Sequence, residues 1–177
     1  MLLRAFARVA AAVPTADLLL AGDGPLRGAL TAQAADLGIA DRVRFLGVRH
    51  DIPELLRASN VFALTSISEA ASLTLLEAMA CRLPVVVTAV GGNPEIVEHD
   101  RQGYLVPRGD DAAAADAIVR LLRDPGRAAA MGDAGYDAVA DHYRLQDTID
   151  AYYARYAAAA ARLRMNTATT ASPARVA

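Results

Sequence analysis

SEAASLTLLEAMACRLPVVV, residues 68–87, places two glutamates around the start of a predicted helix and a strand directly after it. Glu69 precedes the helix, which is expected over about 72–82, and Glu77 lies inside it, roughly two turns further on. A helix N-terminus presents unpaired backbone N–H groups to an anion. A carboxylate beside it can accept hydrogen bonds from sugar or ribose hydroxyls. The segment therefore favours a nucleotide-sugar ligand.

The valine run at 84–88 is typical of a strand that is buried on both faces. Apolar runs predict four more short strands. One of them, at 17–21, is also expected to be buried. These further strands are at 17–21, 43–46, 61–64 and 104–106. Helical periodicity predicts helices at 3–13, 25–38, 52–59, 72–82, 111–123, 126–142 and 145–164, and a short one opening at 91–95.

This order predicts an α/β fold: a Rossmann-like parallel sheet with helices on both faces, followed by a helical C-terminal extension. Ligands of such sheets bind at the carboxyl ends of the strands. The loops at those ends are 22–25, 47–51, 65–72 and 89–95. We expect one domain over 1–164 and a disordered tail over 165–177, which lacks apolar periodicity.

Composition narrows the class of protein. With 54% hydrophobic and 21% charged residues in 177, the chain is expected to be a soluble globular domain. A net charge of −2 argues against a nucleic-acid partner. The single cysteine, Cys81, and the absence of a signal peptide or a transmembrane segment predict a cytoplasmic protein, which is compatible with peripheral membrane contact.

Several local patterns have simpler interpretations. Gly22-x-Gly24-x-x-x-Gly28 matches a dinucleotide-binding motif only loosely, and no acidic residue ends the following strand. We therefore favour a tight turn near a nucleotide base over a dinucleotide-binding site. Taken alone, Glu69 has the spacing of a capping box with Ser66, and Glu77 could be a solvated helix residue. Their joint spacing, with the Gly-Gly loop one strand later, favours ligand contacts.

Metal and nucleophile chemistry have little support in the sequence. Histidines 50, 99 and 142 are scattered, no Asp-x-Asp pair occurs, and nothing resembles a Ser-His-Asp set. Asp110 and Asp111 are best interpreted as the N-cap region of the helix at 111–123. We therefore expect no metal site and no cofactor.

From Leu3 to about Tyr156 the chain resembles the C-terminal, nucleotide-sugar-binding half of a family 4 retaining glycosyltransferase of the GT-B fold. The matching segments are LAGDGP at 20–25, VRFLG at 43–47, the E-x7-E motif at 69–77, LEAMA at 76–80 with PVV at 84–86, VGGNPEIV at 90–97 and GYLVP at 103–107. The resemblance implies transfer of a sugar from a nucleotide-sugar donor with retention of configuration and without a required metal.

The resemblance also implies roles for single residues. Glu69 would contact the donor hexose near the reaction centre, and Glu77 would hold the ribose hydroxyls. Backbone N–H groups of three residues would face the diphosphate or the sugar: Ala71, Ser72 and Leu73. The loop containing Arg49 and Asp51, like the turn at Gly22, would border the base.

Departures from the family pattern limit what the chain is expected to do. Ala70 and Ala71 follow Glu69 where the family usually has Gly and an aromatic residue or Leu. Arg82 stands where a Gly usually ends the helix, which is tolerable if the turn adopts another cap. The family's first strand, with its Gly-Arg and Lys-Gly segments that clamp the diphosphate, is absent, and the chain contains no lysine. That strand would lie between those at 17–21 and 61–64.

The N-terminal half of the family fold, which binds the acceptor, is missing too. The chain is therefore expected to be an incomplete transferase, from a truncated gene model, a split enzyme completed by an N-terminal-half partner chain, or a remnant. The alternatives are a non-catalytic nucleotide-sugar-binding module and, more weakly, an epimerase of the same fold.

Overall fold

The structure, a computed structural model, describes residues 1–170, with residues 163–170 described by their backbone alone. The chain divides into two compact units, Met1–Val139 and a second that starts at Ala140. The sequence predicts one domain that ends at residue 164, so the division lies within the predicted domain. Residues 171–177, which belong to the predicted disordered tail, are outside the described part of the chain.

Five parallel strands form two separate sheets in the described chain. Strands β1 (Leu18–Ala21) and β2 (Val43–Gly47) pair with each other. Strands β3 (Phe62–Leu64), β4 (Val85–Thr88) and β5 (Gly103–Val106) form the second sheet, with β4 in the centre. The predicted α/β class and parallel pairing are confirmed, but β1 and β3 do not pair with each other.

Helices connect these strands, and most of their bounds lie within two residues of the predicted ones. They are α1 (Leu2–Ala12), α2 (Arg27–Asp36), α3 (Ile52–Arg57), α4 (Leu73–Ala80), α5 (Asn93–Ile96), α6 (Asp111–Arg123), α7 (Pro125–His142) and α8 (Leu145–Thr170), with a 3-10 turn at Ala40–Arg42 before β2. Pro25 lies two positions before α2, outside the helix it was expected to open. Helix α8 continues past residue 164, so residues 165–170 of the predicted tail are helical.

Strand β4 forms the centre of the hydrophobic core, because both of its faces are buried. Val86 belongs to a cluster with Phe6 of α1 and Leu121 of α6. Val85 and Val87 point to the other face and join a cluster that includes residues of α4. All four residues of β4 are buried. This confirms the interpretation of the valine run as a strand with helices on both faces.

Between β1 and β3 lies a cavity of about 850 Å³, lined by residues of both strands. The cavity lies where the resemblance places the family's first strand, and β1 and β3 do not pair with each other across it. Strand β1 was predicted to be buried, and that prediction is wrong: Leu19 is 40% exposed, and burial alternates between half-buried and exposed along the strand. The open cavity beside β1 accounts for this exposure.

Helix α4 ends in a left-handed turn at Arg82, whose φ is 59°. The N–H of Leu83 donates to the carbonyl of Ala78 at 3.1 Å, and the N–H of Arg82 donates to that of Met79 at 2.9 Å. These two bonds define a Schellman motif, which usually has glycine in the left-handed position. The expectation of a different cap is therefore wrong, because arginine adopts the glycine conformation. Its guanidinium contacts Asp133 at 2.5 Å and stacks over the ring of Tyr136 at 3.9 Å.

Candidate functional site

The loops that follow the strands come together in two pairs. The N–H of Gly22 donates to the carbonyl of Gly47 at 2.7 Å, which joins the loop at 22–25 to the loop at 47–51. The hydroxyl of Thr88 donates to the carbonyl of Ser66 at 2.8 Å, which joins the end of β4 to the loop at 65–72. The sequence analysis predicted that these four loops surround the site, and the structure shows contacts within each pair.

Ser72 is the N-cap of α4. Its buried hydroxyl accepts a hydrogen bond from the N–H of Leu75 at 3.3 Å and lies 3.1 Å from the hydroxyl of Thr74. The N–H groups of Ala71 and Leu73 lie at or before the first residue of the helix. No helical carbonyl precedes them, so neither has an acceptor within the helix. The helix therefore begins where the sequence predicts and presents its positive end beside Glu69.

Glu69 is held within its loop by a neighbouring hydroxyl. The Oγ of Ser66 donates to Oε1 of Glu69 at 2.6 Å, and the Glu69 side chain is half-buried. Residues 65–72 contain no helix, so the capping-box interpretation of Ser66 and Glu69 is wrong. Among the described residues the carboxylate caps no backbone N–H, and its hydrogen bond to Ser66 uses Oε1 alone.

The Gly91–Gly92 pair lies against the backbone of the Glu69 loop. A Cβ built on Gly91 would lie 1.5 Å from the carbonyl oxygen of Glu69, and one on Gly92 would lie 2.3 Å from that of Ala70. The N–H of Gly92 also donates to the Glu69 carbonyl at 3.3 Å. Only glycine allows this approach, since a side chain at either position would displace the loop. The pair thus sets the position of the Glu69 backbone.

Asn93 fixes the loop that carries the two glycines to the end of β4. Its fully buried side chain donates from Nδ2 to the carbonyl of Thr88 at 3.0 Å. Its Oδ1 is buried without a hydrogen-bond partner among the described residues. Sequence reasoning quoted this asparagine within the VGGNPEIV segment but gave it no role. The signal that could have identified its structural contact is the position of an asparagine directly after Gly-Gly, at the start of a short helix.

Glu77 has a different environment. It is exposed on α4 and, with Thr74 one turn earlier, lines the edge of the 850 Å³ cavity. Apolar residues of α3, such as Leu55, line the same cavity. An exposed carboxylate beside an apolar wall is suited to accept hydrogen bonds from a pair of hydroxyls on a partly apolar ligand.

Arg49 and Asp51 form a bidentate pair in the loop after β2. The Nε–Oδ1 distance is 2.8 Å and the Nη2–Oδ2 distance is 2.5 Å. The hydrogen bond from Arg49 lowers the pKa of Asp51, and the hydrogen bond to Asp51 raises the pKa of Arg49. The two charges neutralise each other, so this loop offers a ligand its backbone groups more than its charges.

The described part of the chain contains neither a metal centre nor a membrane-spanning helix. Among these residues, no group of three or more His, Cys, Asp or Glu side chains is arranged to hold a metal ion. None of the described helices combines the length and apolar character that crossing a bilayer requires.

A family model described as glycosyl transferases group 1 matches residues 1–124. The chain belongs to this family. It is 39% identical over 153 residues to the N-acetyl-alpha-D-glucosaminyl L-malate synthase of Bacillus anthracis, an alignment that covers 86% of this chain and 40% of that protein. The chain thus spans about two fifths of the length of this curated relative.

Solved structures give the same assignment. Anabaena HepE in complex with UDP-glucose superposes with a TM-score of 0.81 at 30% identity, covering 89% of this chain and 44% of HepE. The C-terminal domain of the group 1 glycosyltransferase LpcC from Francisella tularensis gives a TM-score of 0.70 at 26% identity, covering 80% of this chain and 79% of that domain. The chain therefore corresponds to the C-terminal half of a GT-B glycosyltransferase.

Proposed function

We propose that this chain is the donor-binding half of a retaining glycosyltransferase that transfers a sugar from a nucleotide-sugar to an acceptor. The observation that supports this most is the arrangement around the start of α4. There the Ser72-capped helix N-terminus lies between Glu69, which Ser66 and the Gly91–Gly92 pair hold in place, and the exposed Glu77. Similarity to HepE, which was solved with UDP-glucose, supports the ligand class.

Each part of this arrangement suits one part of a nucleotide-sugar. The Glu77 carboxylate accepts hydrogen bonds from the ribose hydroxyls. The backbone N–H groups of Ala71, Ser72 and Leu73 donate to diphosphate or sugar oxygens, with the helix dipole favouring the negative charge. Glu69 contacts the hexose. The paired loops at Gly22 and at Arg49–Asp51 border the base.

The proposed reaction needs no metal or other cofactor from this chain. The bond from the anomeric carbon to the diphosphate breaks as the acceptor oxygen bonds to the same face, and the diphosphate leaves with the electron pair and takes the proton of the acceptor hydroxyl. Positive charge that develops on the sugar ring is stabilised by the departing diphosphate, whose own charge is stabilised by N–H groups and cations. The chain spans about two fifths of the length of its curated relative, so turnover is tested with the rest of the family fold present.

Titration of the purified chain with UDP, GDP, UDP-glucose and GDP-mannose tests donor binding. Glu77→Gln should weaken nucleotide binding about tenfold to a hundredfold, since hydrogen bonds to charged groups contribute about 1.5–3 kcal/mol. Glu98→Gln is a matched control, because Glu98 is exposed and its carboxylate pairs with Arg101. Absence of binding to all four compounds, or equal binding by Glu77→Gln, would exclude the assignment.

The second candidate function is a nucleotide-sugar-binding module without catalysis. The exposed Glu77 carboxylate beside the cavity favours it, because a group that accepts hydrogen bonds from hydroxyls serves binding without taking part in catalysis. Turnover distinguishes the two functions. Release of free nucleotide or sugar transfer after an N-terminal half is added supports the transferase, and binding without turnover in that mixture supports the module.

A further inference from the structure

The guanidinium of Arg27 lies against the junction of the two loops that border the proposed base. Arg27 is the first residue of α2, directly after the turn at 22–25. A Cβ built on Gly47 would lie 3.7 Å from Nη1 of Arg27. Gly47 is also the residue whose carbonyl accepts the hydrogen bond from Gly22. The Arg27 side chain therefore extends from the first loop to the second.

Asp23 orients this guanidinium and leaves most of its donors free. The N–H of Gly24 donates to Oδ1 of Asp23 at 2.8 Å, which fixes the carboxylate within its own turn. The other oxygen, Oδ2, accepts from Nη1 of Arg27 at 3.4 Å. A guanidinium has five N–H donors. Among the described residues, this long contact is the one hydrogen bond that the Arg27 side chain makes.

Arg49, the other arginine at these loops, has a smaller capacity to bind a ligand. Its Nε and Nη2 donate to the two carboxylate oxygens of Asp51. This bidentate pairing occupies one planar edge of the guanidinium and neutralises its charge. Arg27 has only a single contact to its carboxylate partner. Of the two arginines, Arg27 is therefore the better suited to donate to a second planar group.

Exposed apolar side chains adjoin this arginine on both loops. Leu26, directly before Arg27, is 65% exposed, and Val48, directly after Gly47, is 70% exposed. Apolar side chains beside a cation with free donors suit a ligand that has apolar faces and a polar edge. A nucleobase has this character. The two loops thus offer a base both packing surfaces and a hydrogen-bond donor.

The same loops lie close to the proposed ribose contact. Ala21 and Leu46, which directly precede Gly22 and Gly47, line one cavity together with Glu77. A nucleoside whose ribose hydroxyls bind Glu77 therefore has the ends of β1 and β2 within the same cavity. This places its base near the two loops that Arg27 spans.

We propose that Arg27 selects guanine as the base of the donor by donating two parallel hydrogen bonds, to O6 and N7. Guanine carries these two acceptors side by side on one edge, and the planar fork of an arginine matches their spacing. Uracil has an N3–H donor between its two carbonyl oxygens, and adenine has an amino donor next to N7, so neither offers that pair. The donor is accordingly a guanosine diphosphate sugar. This inference rests on the proposed function, which leaves the base open.

Calorimetric titration of the purified chain with GDP, 7-deaza-GDP, UDP, ADP and CDP tests the selection of guanine. In 7-deaza-GDP a C–H group replaces N7 while the shape of the base is kept. We expect GDP to bind about tenfold to a hundredfold more tightly than UDP, ADP or CDP, because a bidentate arginine contact discriminates between bases to about that degree. Loss of N7 alone should weaken binding about tenfold.

Arg27→Lys identifies the residue that recognises the base. Lysine keeps the positive charge but has no planar fork, so it donates to one acceptor at a time. The variant should bind GDP and 7-deaza-GDP equally and lose most of the preference for GDP over UDP. Arg101→Lys is the matched control, at an exposed arginine that pairs with Glu98. This control should keep the wild-type preference.

The outcomes separate this inference from the proposed function. Equal binding of GDP and 7-deaza-GDP by the wild type, or binding of another nucleotide as tightly as GDP, overturns the selection of guanine and leaves donor binding intact. A preference for GDP that persists unchanged in Arg27→Lys shows that other groups recognise the base, which overturns the role of Arg27. Absence of binding to all five nucleotides excludes the proposed function and this inference together.

Discussion

A Cβ on Gly91 would lie 1.5 Å from the carbonyl oxygen of Glu69, so the strand-end loop after β4 fixes the loop that carries the proposed sugar-contacting carboxylate. The two residues are far apart in the sequence, but their backbones lie in direct contact. Neither loop can change position without displacing the other. The glycines are therefore proposed to contribute to donor binding although they carry no functional side chain.

Gly92→Ala is the cleanest test of this relationship. Gly92 has φ −79°, a conformation that alanine adopts freely, so the only new feature is a Cβ that would lie 2.3 Å from the carbonyl oxygen of Ala70. We expect the free energy of unfolding to fall by about 1–3 kcal/mol. We also expect the chain to lose its preference for a nucleotide-sugar over the free nucleotide, because the Glu69 loop moves while Glu77 does not.

The measurements are urea unfolding and the ratio of UDP to UDP-glucose dissociation constants. Gly28→Ala is the control, since Gly28 is the second residue of α2 and a Cβ there meets nothing within 4 Å. If Gly92→Ala weakens both ligands by the same factor, the glycine pair has only a structural role.

Variants of Arg82 separate two contributions to the free energy of unfolding: the strain of its left-handed backbone conformation and the stabilisation by its side-chain contacts. Arg82→Ala keeps the φ of 59° and removes the contacts with Asp133 and Tyr136. Arg82→Gly removes the same contacts but also relieves the steric strain, which is about 1–2 kcal/mol for a residue with a Cβ. We expect the glycine variant to be more stable than the alanine variant by about 1 kcal/mol in denaturant unfolding. Equal stability of the two variants would show that residue 82 is unstrained.

Asp111 gives a prediction about acid stability. It accepts hydrogen bonds from Arg4 at 3.1 Å and Arg8 at 3.4 Å, which connects α6 to α1. The Arg4 hydrogen bond is the main cause that lowers its pKa below the ordinary 3.8. A lowered folded-state pKa gives stability that is fully present above 3.8 and is lost as the pH falls through the folded value.

Urea unfolding of wild type and Asp111→Asn at neutral pH and well below pH 3.8 measures this contribution. The variant should be less stable at neutral pH, and the difference should disappear in acid. Asp116→Asn, at an exposed position of the same helix, controls for the loss of one charge. A difference between wild type and Asp111→Asn that persists unchanged in acid would assign the effect to packing.

Features that depend on residues close together in the sequence were predictable. The valine run defined β4, and the order of strands and helices defined the α/β fold, while Asp110 caps α6 through the N–H of Ala113 as expected. Contacts between distant segments were not predictable. Nothing near Glu69 in the sequence indicates that Gly91 lies against its carbonyl, and the exposure of Leu19 follows from the cavity beside β1, which its own apolar run does not indicate.

Thr88→Val tests the hydrogen bond that holds the other end of the Glu69 loop. The Thr88 hydroxyl is fully buried and donates to the Ser66 carbonyl at 2.8 Å. Valine keeps the shape but leaves that carbonyl without its donor, which should cost about 1–3 kcal/mol of unfolding free energy. Because Ser66 also positions Glu69 through its hydroxyl, nucleotide-sugar affinity should fall more than nucleotide affinity.

Thr88→Ser separates the hydroxyl from the methyl group in this test. Serine retains the donor and loses one methyl group, so it should restore the preference for the nucleotide-sugar while remaining about 1 kcal/mol less stable than the wild type. Calorimetric titration and urea unfolding of both variants measure the two effects. If Thr88→Ser and Thr88→Val bind the nucleotide-sugar equally weakly, packing of the β4 end controls the loop and the hydrogen bond to Ser66 does not.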